Sequence, residues 1–430
     1  MTVYAEKGLP TGKHMLKIEI SVNGARAGET EYALEVLDAE LPEDDFPVAQ
    51  WLHYDAIANY YNSKPWSKAY YSKLGSFIDH AVNHGINMLY VPLFTPPLDT
   101  YVGGERVDVQ LIKITKKDEN YTFDLSELEK YLDFALCRGI KYFEMCHLAT
   151  QWGAAHCPKI MAQTENGYER IFGWDTSSTS EDYLSFLRQC LRALDKLLRK
   201  KGLAERTYFH ISDEPNKDNI ARYKEVYEAI RPIIKNYKLM DAVSEVGRDI
   251  IDVPVVATTH LSGVCAENEF AYYCCCSYKQ NLSNRFFDMP SLRNRILGCQ
   301  LWLNKANGFL HWGFNFYNDK ESVRAVNPFY VTDANGHFPA GDSFAVYPAP
   351  DGAWDSLRLE VFYDALQDRK LLCALQEKFG REKTVALLSE FGVAGWTEYP
   401  HTEKSFIEWT VKCKRMLIEE NINTEEYKND

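Results

Sequence analysis

The feature that most constrains the fold is a unit that occurs three times, in which an amphipathic helix ends at a glycine and an apolar strand follows at once. The units are residues 67–84 with Gly85, residues 126–138 with Gly139, and residues 180–201 with Gly202. In the third helix, an apolar stripe recurs at steps of three and four: Leu184, Leu187, Leu191, Leu194 and Leu198. Ser180 supplies the cap at its start, and Gly202 ends it. Alternation of helix and strand is typical of an α/β protein.

Five further apolar runs complete a set of eight predicted strands. In chain order, the eight are residues 48–54, 86–94, 140–145, 206–212, 238–244, 253–259, 270–275 and 308–316. Their apolar character is nearly continuous, as expected of parallel strands buried on both faces. Eight such strands with intervening helices predict a (β/α)8 barrel of the TIM type.

The sequence patterns at the two ends of the chain differ from those of the predicted barrel. Two alternating runs around Asn23-Gly24 predict a β-hairpin over residues 14–38, and residues 355–421 read as several helices. We therefore expect three parts. These are an N-terminal hairpin over residues 1–45, a catalytic barrel over 46–375, and a helical C-terminal extension over 376–430.

Charge, cysteines and hydropathy exclude several classes of function. The net charge of −13 and the lack of a basic stripe argue against nucleic acid as a partner. The 11 cysteines show no metal-ligand or redox spacing, so reduced and mostly buried thiols are expected. No window approaches the roughly 18 apolar residues of a membrane span, and the N-terminus has no apolar signal core. These features predict a soluble cytoplasmic protein.

The stretch "YFHISDEP" ends the fourth predicted strand with two adjacent acids, Asp213 and Glu214. In such barrels, chemistry takes place at the carboxyl ends of the strands, so a catalytic role is favoured over capping of the next helix. Pro215 is expected to keep the backbone of Glu214 extended and to present the two side chains in different directions.

Two carboxylates at a barrel mouth suggest glycoside hydrolysis, but adjacent residues do not easily straddle a scissile bond. Two schemes stay open. Either a second carboxylate lies on another strand, or the substrate supplies its own nucleophile through a 2-acetamido group. In the second scheme, Asp213 orients the amide and stabilises the oxazolinium charge, and Glu214 protonates the leaving oxygen.

The chain resembles the catalytic domain of glycoside hydrolase family 123, the β-N-acetylgalactosaminidases, whose catalytic pair is an adjacent Asp-Glu. The matching stretches include "QWLHYDAIANYY", "HLATQWGAAHCPKI", "YFHISDEP", "NRFFDMPSLRNRILGCQLW", "GFLHWGFNFYN" and "AVYPAPDGAWDSLRLEVFYDALQDRKLL". The resemblance implies a retaining, substrate-assisted exo-hydrolase for terminal β-linked N-acetylgalactosamine that needs no metal or organic cofactor. Family members usually carry a β-sandwich ahead of the barrel, and the hairpin is interpreted as its remnant.

Other polar and aromatic residues near strand ends are candidate substrate contacts. They are His53, His147, Trp152, His210, Tyr273, His311, Trp312 and Asn315. Trp312 is suited to stack on a pyranose face, and Tyr273 could donate its hydroxyl to the acetamido carbonyl. Sugar contact or loop packing is preferred to metal binding for the loop that holds His147. The prolines of residues 92–99 are expected to fix the mouth of the barrel rather than to do chemistry.

Two rival functions are compatible with the sequence. In a conventional retaining glycosidase, Glu214 would be the acid/base and a second carboxylate the nucleophile, but Glu267 and Glu269 precede the seventh strand and so lie at the wrong end. The other rival is a non-catalytic carbohydrate-binding relic. In each case the expected partner is the terminal amino sugar of a glycan or glycolipid, and the sequence leaves open which sugar that is.

Overall fold

The computed structural model describes residues 8–419 except 152, 244–245, 262, 273–277 and 279–280. In chain order, the strands are β1 (Gly12–Val22), β2 (Ala25–Val36), β3 (Val48–Gln50), β4 (Met88–Val91), β5 (Lys113–Lys117), β6 (Asn120–Asp124), β7 (Tyr142–Met145), β8 (Ile160–Thr164), β9 (Gly167–Phe172), β10 (Thr207–Phe209), β11 (Lys238–Ala242), β12 (Val253–Ala257), β13 (Phe270–Tyr272), β14 (Gly308–His311), β15 (Val346–Ala349) and β16 (Gly352–Asp355). The α-helices are α1 (Tyr54–Tyr60), α2 (Lys68–Asn83), α3 (Ser126–Leu136), α4 (Glu181–Lys200), α5 (Ile220–Ile234), α6 (Leu292–Arg295), α7 (Leu297–Leu303), α8 (Leu357–Phe379), α9 (Arg381–Phe391) and α10 (Glu403–Ile418).

Eight parallel strands close into a barrel in the order in which they occur along the chain. The barrel runs β3, β4, β7, β10, β11, β12, β13, β14 and back to β3. This arrangement confirms the predicted (β/α)8 fold and all eight predicted strands. Several strands are shorter than their apolar runs, and residues 244 and 273–275 of two runs lie outside the described residues. The run 206–212, for example, continues beyond β10 into buried residues without strand pairing.

Burial explains why these segments form barrel strands. β4, β12 and β14 are buried at every residue, as expected where helices cover the outside and side chains fill the inside. Helix α4 shows the complementary pattern, since its leucine stripe faces the core and the side chain of Ser180 accepts a hydrogen bond from the N–H of Tyr183. Gly202 follows with a φ of 66°, the left-handed conformation that ends many helices.

The loops after the second and third barrel strands form a small sheet that the sequence analysis did not predict. Its four strands lie in the order β6, β5, β8, β9. The β5–β8 pair is parallel and the other two pairs are antiparallel. Because both loops leave the carboxyl ends of β4 and β7, this sheet flanks the end of the barrel where chemistry is expected.

The N-terminal hairpin and the C-terminal helices agree with the predicted elements. β1 and β2 pair antiparallel around Asn23-Gly24, and several apolar side chains of the hairpin are exposed, including Met15 and Tyr32. A second core cluster joins α6 and α7 to the last three helices. The three-part division stays a prediction, and its boundary between residues 375 and 376 falls within α8.

Two composition-based expectations can be compared with the structure. Eight cysteines lie among the described residues, all as free thiols and six of them buried, whereas Cys274, Cys275 and Cys276 lie outside that part of the chain. Over the described residues, no helix combines the length and apolar character that crossing a bilayer requires.

Candidate active site

A cavity of about 450 Å³ opens at the carboxyl ends of the barrel strands. Its apolar wall consists of Trp51, Leu98, Leu310, Trp312 and Phe338. Three carboxylates face the same space: Asp99, Asp213 and Glu214. The volume lies in the range of small-molecule sites, and an apolar wall with a few polar groups is the composition such sites share.

The acidic pair enters the cavity from the segment after β10. Asp213 is half-buried and Glu214 is exposed, so the two carboxylates differ in solvation. The N–H of Glu214 donates to the carbonyl of Ala242, 3.1 Å away, at the end of β11. The expectation that Pro215 keeps Glu214 extended is wrong, because Glu214 has a φ of 45°, in the left-handed region. Such a conformation costs about 1 kcal/mol or more outside glycine, and it concentrates at functional sites.

Each of the three residues before the acidic pair makes a hydrogen bond to the segment after β7. The carbonyls of His210 and Ile211 accept from the N–H groups of Leu148 and Ala149, at 3.1 and 2.8 Å. The hydroxyl of Ser212 donates to the carbonyl of Thr150, 2.7 Å away. This segment therefore presents Asp213 and Glu214 on a rigid support rather than on a loose loop.

Behind the acidic pair lies a buried charged network centred on His210. Its Nδ1 is 3.0 Å from Oδ1 of Asp241, and its Nε2 is 3.1 Å from Oε2 of Glu144. Burial by itself would lower the pKa of His210, but the hydrogen bonds to Asp241 and Glu144 outweigh it and raise the pKa to about 9. His210 is therefore a cation at neutral pH and donates from both ring nitrogens.

The network reaches the cavity through Trp51. The indole N–H of Trp51 donates to Oε2 of Glu144 at 2.9 Å, and the same ring lines the cavity. Asp241 also accepts from the backbone N–H of Ile211 and from the hydroxyl of Tyr223. A displacement of this network would move both Trp51 in the cavity wall and the segment that carries the acidic pair.

The electrostatics of Asp213 follow from this environment. Burial raises the pKa of Asp213, and the negative charges of Glu214, Asp241 and Asp99 raise it further against the lowering effect of His210. A site that disfavours one more negative charge favours a positive charge that develops in a bound substrate.

His53 and Trp312, two of the predicted substrate contacts, line the cavity. Nε2 of His53 lies 2.8 Å from the carbonyl of Trp312, and their rings meet edge to face. Burial and the nearby charge of Arg106 lower the pKa of His53 to about 4, so this ring is neutral at physiological pH. Arg106 itself is held by Asp55, with Nε of Arg106 2.8 Å from Oδ2 of that carboxylate.

Four residues predicted to contact substrate lie behind the cavity wall instead. They are His147, His210, His311 and Asn315, each at most 1% exposed and none among the lining residues. The side-chain amide of Asn315 accepts from the N–H of His53 and donates to the carbonyl of His53. Nδ1 of His311 lies 2.8 Å from the guanidinium of Arg285. The polar atoms of His210 and Asn315 are used in hydrogen bonds within the protein, and Nδ1 of His147 contacts the hydroxyl of Tyr90. Trp152 and Tyr273 lie outside the described residues.

Two groups of side chains have enough ligand atoms to suggest a metal. His147, His210 and Asp241 offer atoms within 4.8 Å of one another. However, the two imidazoles are stacked, with centroids 4.4 Å apart and planes 25° apart, so their lone pairs run nearly parallel instead of converging on one ion. The second group, His84, Asp355 and Glu360, joins the end of α2 to the start of α8 and does not line the cavity.

Sequence reasoning missed several polar residues of this site. Asp99, Gln151, Lys320 and His337 line the cavity, and Glu144 and Asp241 lie behind it. Glu144 and Asp241 lie within the apolar strands β7 and β11, and an acid in a buried strand was a usable signal. Asp99 ends the proline-rich loop after β4, where the carboxyl-end rule that identified Asp213 applies equally. Burial raises the pKa of Asp99 to about 6, although Arg106 acts in the opposite direction.

Comparison with known proteins places the chain in a family. The family model described as glycoside hydrolase 123, catalytic domain, matches residues 51–375. A solved family 123 glycoside hydrolase from Clostridium perfringens, described in connection with glycolipid glycan hydrolysis, is similar over 96% of this chain and 76% of its own, with a TM-score of 0.69 and 18% identity.

Other similarities are weaker. A β-glucuronidase from Parabacteroides merdae covers 82% of this chain and 42% of its own, with a TM-score of 0.38 and 11% identity. A β-galactosidase from Rahnella sp. R3 covers 76% and 56%, with a TM-score of 0.37 and 9% identity. Among curated protein sequences, no match was found.

Proposed function

Since this chain belongs to glycoside hydrolase family 123, we propose that it releases a terminal β-linked 2-acetamido sugar, N-acetylgalactosamine, from a glycan or glycolipid by retaining, substrate-assisted catalysis. The observation that carries the proposal is that Asp213 and Glu214, adjacent in sequence, line one cavity at the carboxyl end of the barrel. Family membership supports the glycoside hydrolase class, and the choice of sugar and of mechanism is our inference from the site.

In the first step, the acetamido carbonyl oxygen attacks the anomeric carbon while Glu214 transfers its proton to the glycosidic oxygen. The bond between the anomeric carbon and that oxygen breaks, and the aglycone leaves as an alcohol. Asp213 accepts a hydrogen bond from the acetamido N–H and stabilises the positive oxazolinium ring. In the second step, Glu214 takes a proton from water, the water attacks the anomeric carbon, and the ring opens. Two inversions give net retention.

The different solvation of the two acids supports this division of roles. Glu214 is exposed at the rim, where a leaving aglycone and an incoming water can reach it. Asp213 is half-buried among other acids, and its pKa is raised by burial and by those charges. A positive oxazolinium beside Asp213 opposes this rise in pKa and favours the ionised carboxylate that the scheme requires.

The apolar wall supports an acetamido substrate in a second way. Trp312 packs against Phe338 with ring centroids 5.3 Å apart, and both rings line the cavity. An acetamido methyl and the apolar face of a pyranose need such surfaces, whereas the hydroxyls need the polar groups opposite.

One observation favours the conventional two-carboxylate scheme as a second candidate. Asp99 belongs to a different loop from the acidic pair yet lines the same cavity, so a second carboxylate is available as a nucleophile. A non-catalytic relic is disfavoured because two acids placed in a cavity are costly without a reaction to use them.

The test compares 4-nitrophenyl β-N-acetylgalactosaminide with the β-N-acetylglucosaminide and the β-galactoside. We expect nitrophenol release from the acetamido sugars and release from the galactoside at least 100-fold slower, because the last substrate lacks the internal nucleophile. A thiazoline that mimics the cyclised intermediate should inhibit competitively. Equal turnover of the β-galactoside would support the two-carboxylate scheme, and sugar binding without release from any substrate would support the relic.

A further inference from the structure

Asp99 is a carboxylate of the cavity that the proposed chemistry does not use. It lies in the loop between β4 and β5, and its negative charge is among those that raise the pKa of Asp213. Asp99 and the acidic pair therefore influence the same small space from two separate loops.

The backbone around Asp99 is fixed by a contact with a distant segment, which we call the clasp and define as residues 99–101 with residues 320–322. The N–H of Glu321 donates to Oδ1 of Asp99 at 3.2 Å, and the hydroxyl of Ser322 donates to the carbonyl of Asp99 at 2.7 Å. The N–H of Tyr101 donates to the carbonyl of Glu321 at 2.9 Å. The side chain of Gln151 accepts from the N–H of Asp99. The clasp thus holds Asp99 from several directions.

The clasp also contains three residues with an unusual backbone conformation. Asp99, Glu321 and Ser322 have φ values of 51°, 60° and 53°, all in the left-handed region that non-glycine residues rarely adopt. Such conformations persist where the surroundings over-determine them, and they concentrate at sites that position a ligand. Three of them in mutual contact at a cavity are more than one tight turn requires.

The two oxygens of the Asp99 carboxylate differ. Oδ1 accepts the N–H of Glu321, whereas Oδ2 is buried and has no hydrogen-bond partner within the described part of the chain. A buried acceptor without a donor is unfavourable, so a donor that a ligand brings would be bound strongly. The donors that a neutral sugar offers are its hydroxyls.

We propose that Asp99 is a specificity residue that accepts a hydrogen bond from one hydroxyl of the terminal sugar through Oδ2, with the clasp fixing its direction. This inference rests on the proposed function, because it requires that a sugar occupies the cavity. It assigns Asp99 to recognition, not to bond breaking, since one carboxylate oxygen is already tied to the main chain.

The test compares kcat/KM of the wild type and of two variants on the parent sugar and on analogues that each lack one hydroxyl. The substrates are 4-nitrophenyl β-N-acetylgalactosaminide and its 3-, 4- and 6-deoxy analogues, and the variants are Asp99→Asn and Asp118→Asn. Asp118 is a matched control because it has a φ of 54° and is exposed in a turn outside the cavity. We expect Asp99→Asn to lower kcat/KM about 10- to 100-fold on the parent sugar, chiefly through KM, and less than about 3-fold on the one analogue that lacks the partner hydroxyl.

The outcomes separate the two proposals. If the wild-type protein releases nothing from the parent sugar, the proposed function fails. If the wild type is active but Asp99→Asn lowers kcat/KM equally on all four substrates, or not at all, only the role of Asp99 is overturned. Rescue of Asp99→Gly by azide, with formation of a glycosyl azide, would show that Asp99 acts as a nucleophile. That result would also overturn its proposed role in recognition.

A pH profile gives a readout that does not depend on the analogues. Asp99 accepts best when ionised, so kcat/KM should fall as the pH drops through about 6, and Asp99→Asn should lack that limb. The positive charges of Arg106 and Lys320 lower the pKa of Asp99 and the negative charge of Glu321 raises it, so Glu321→Gln should move the limb to lower pH. If Asp99→Asn does not fold, Glu321→Gln decides the question, and an unmoved limb in that variant contradicts the proposal.

Discussion

Nδ1 of His210 lies 3.0 Å from Oδ1 of Asp241, and both side chains are fully buried. The pair joins two neighbouring barrel strands directly behind the catalytic candidates, since His210 precedes Asp213 by three residues. Because Asp241 also accepts the N–H of Ile211, one carboxylate fixes both the side chain and the backbone of this segment. The geometry of the acidic pair therefore depends on a buried charge.

The first prediction concerns His210 and the pH dependence of stability. Its pKa of about 9 in the folded protein exceeds its unfolded value near 6.5, so the stabilisation is fully present below pH 6.5 and is lost as the pH rises through 9. We expect the free energy of unfolding to fall by about 3 kcal/mol over that interval, and His210→Gln to lack this part of the slope. Urea unfolding at pH 6 and pH 9 measures it. The exposed His401→Gln should keep the wild-type slope, and an equal slope in His210→Gln would contradict the prediction.

The second prediction concerns Asp213. Asp213→Asn keeps the size of the side chain but removes the charge that stabilises the oxazolinium. We expect kcat on the β-N-acetylgalactosaminide to drop about 10²- to 10⁴-fold with KM nearly unchanged, and thiazoline affinity to fall with kcat. Asp218→Asn, an exposed acid five residues further along the chain, is the control and should retain activity. Retention of substantial kcat by Asp213→Asn would argue against amide participation.

The third prediction concerns Glu214 and the leaving group. Glu214→Gln removes the proton that a poor leaving group needs but a good one does not. We expect a loss of about 10²- to 10⁴-fold on an alkyl aglycone and a much smaller loss on a 2,4-dinitrophenyl aglycone. Steady-state rates on the two substrates measure the contrast. A uniform loss on both would mean that Glu214 is not the acid.

The fourth prediction concerns Asn315, whose side-chain amide binds the backbone N–H and carbonyl of His53 at 2.7 and 3.0 Å. Asn315→Ala leaves the N–H of His53 without its acceptor and the carbonyl of His53 with only the N–H of Ile57, so it should destabilise the protein by about 1–3 kcal/mol. KM should rise because His53 lines the cavity. Denaturant unfolding and steady-state kinetics together check this. A raised KM with unchanged stability would instead indicate that Asn315 touches the substrate directly.

The fifth prediction concerns metal removal. The proposed steps take the nucleophile from the substrate and the proton from Glu214, so prolonged treatment with EDTA should leave kcat unchanged. The informative control adds Zn²⁺ back, because His147, His210 and Asp241 form the ligand-like group nearest the acidic pair. Activity that is lost with EDTA and restored by Zn²⁺ would show that this group works as a metal site and not as a hydrogen-bonded network.

The sequence by itself determined the barrel and the acidic pair. Periodic leucines, helix-ending glycines and continuous apolar runs are local features, and each strand or helix forms largely from neighbours in the chain. The rule that chemistry gathers at the carboxyl ends of barrel strands then gave Asp213 and Glu214 a location without any knowledge of their contacts.

Only the tertiary structure decided what surrounds that pair. Glu144, His210 and Asp241 meet because three neighbouring strands bring them together, and Asp99 meets Glu321 across 222 residues of chain. The same closure turned His147, His311 and Asn315 away from the cavity and gave Glu214 a left-handed backbone. Such contacts are set by how the barrel closes and how its loops pack, and no local pattern encodes the distance between residues so far apart.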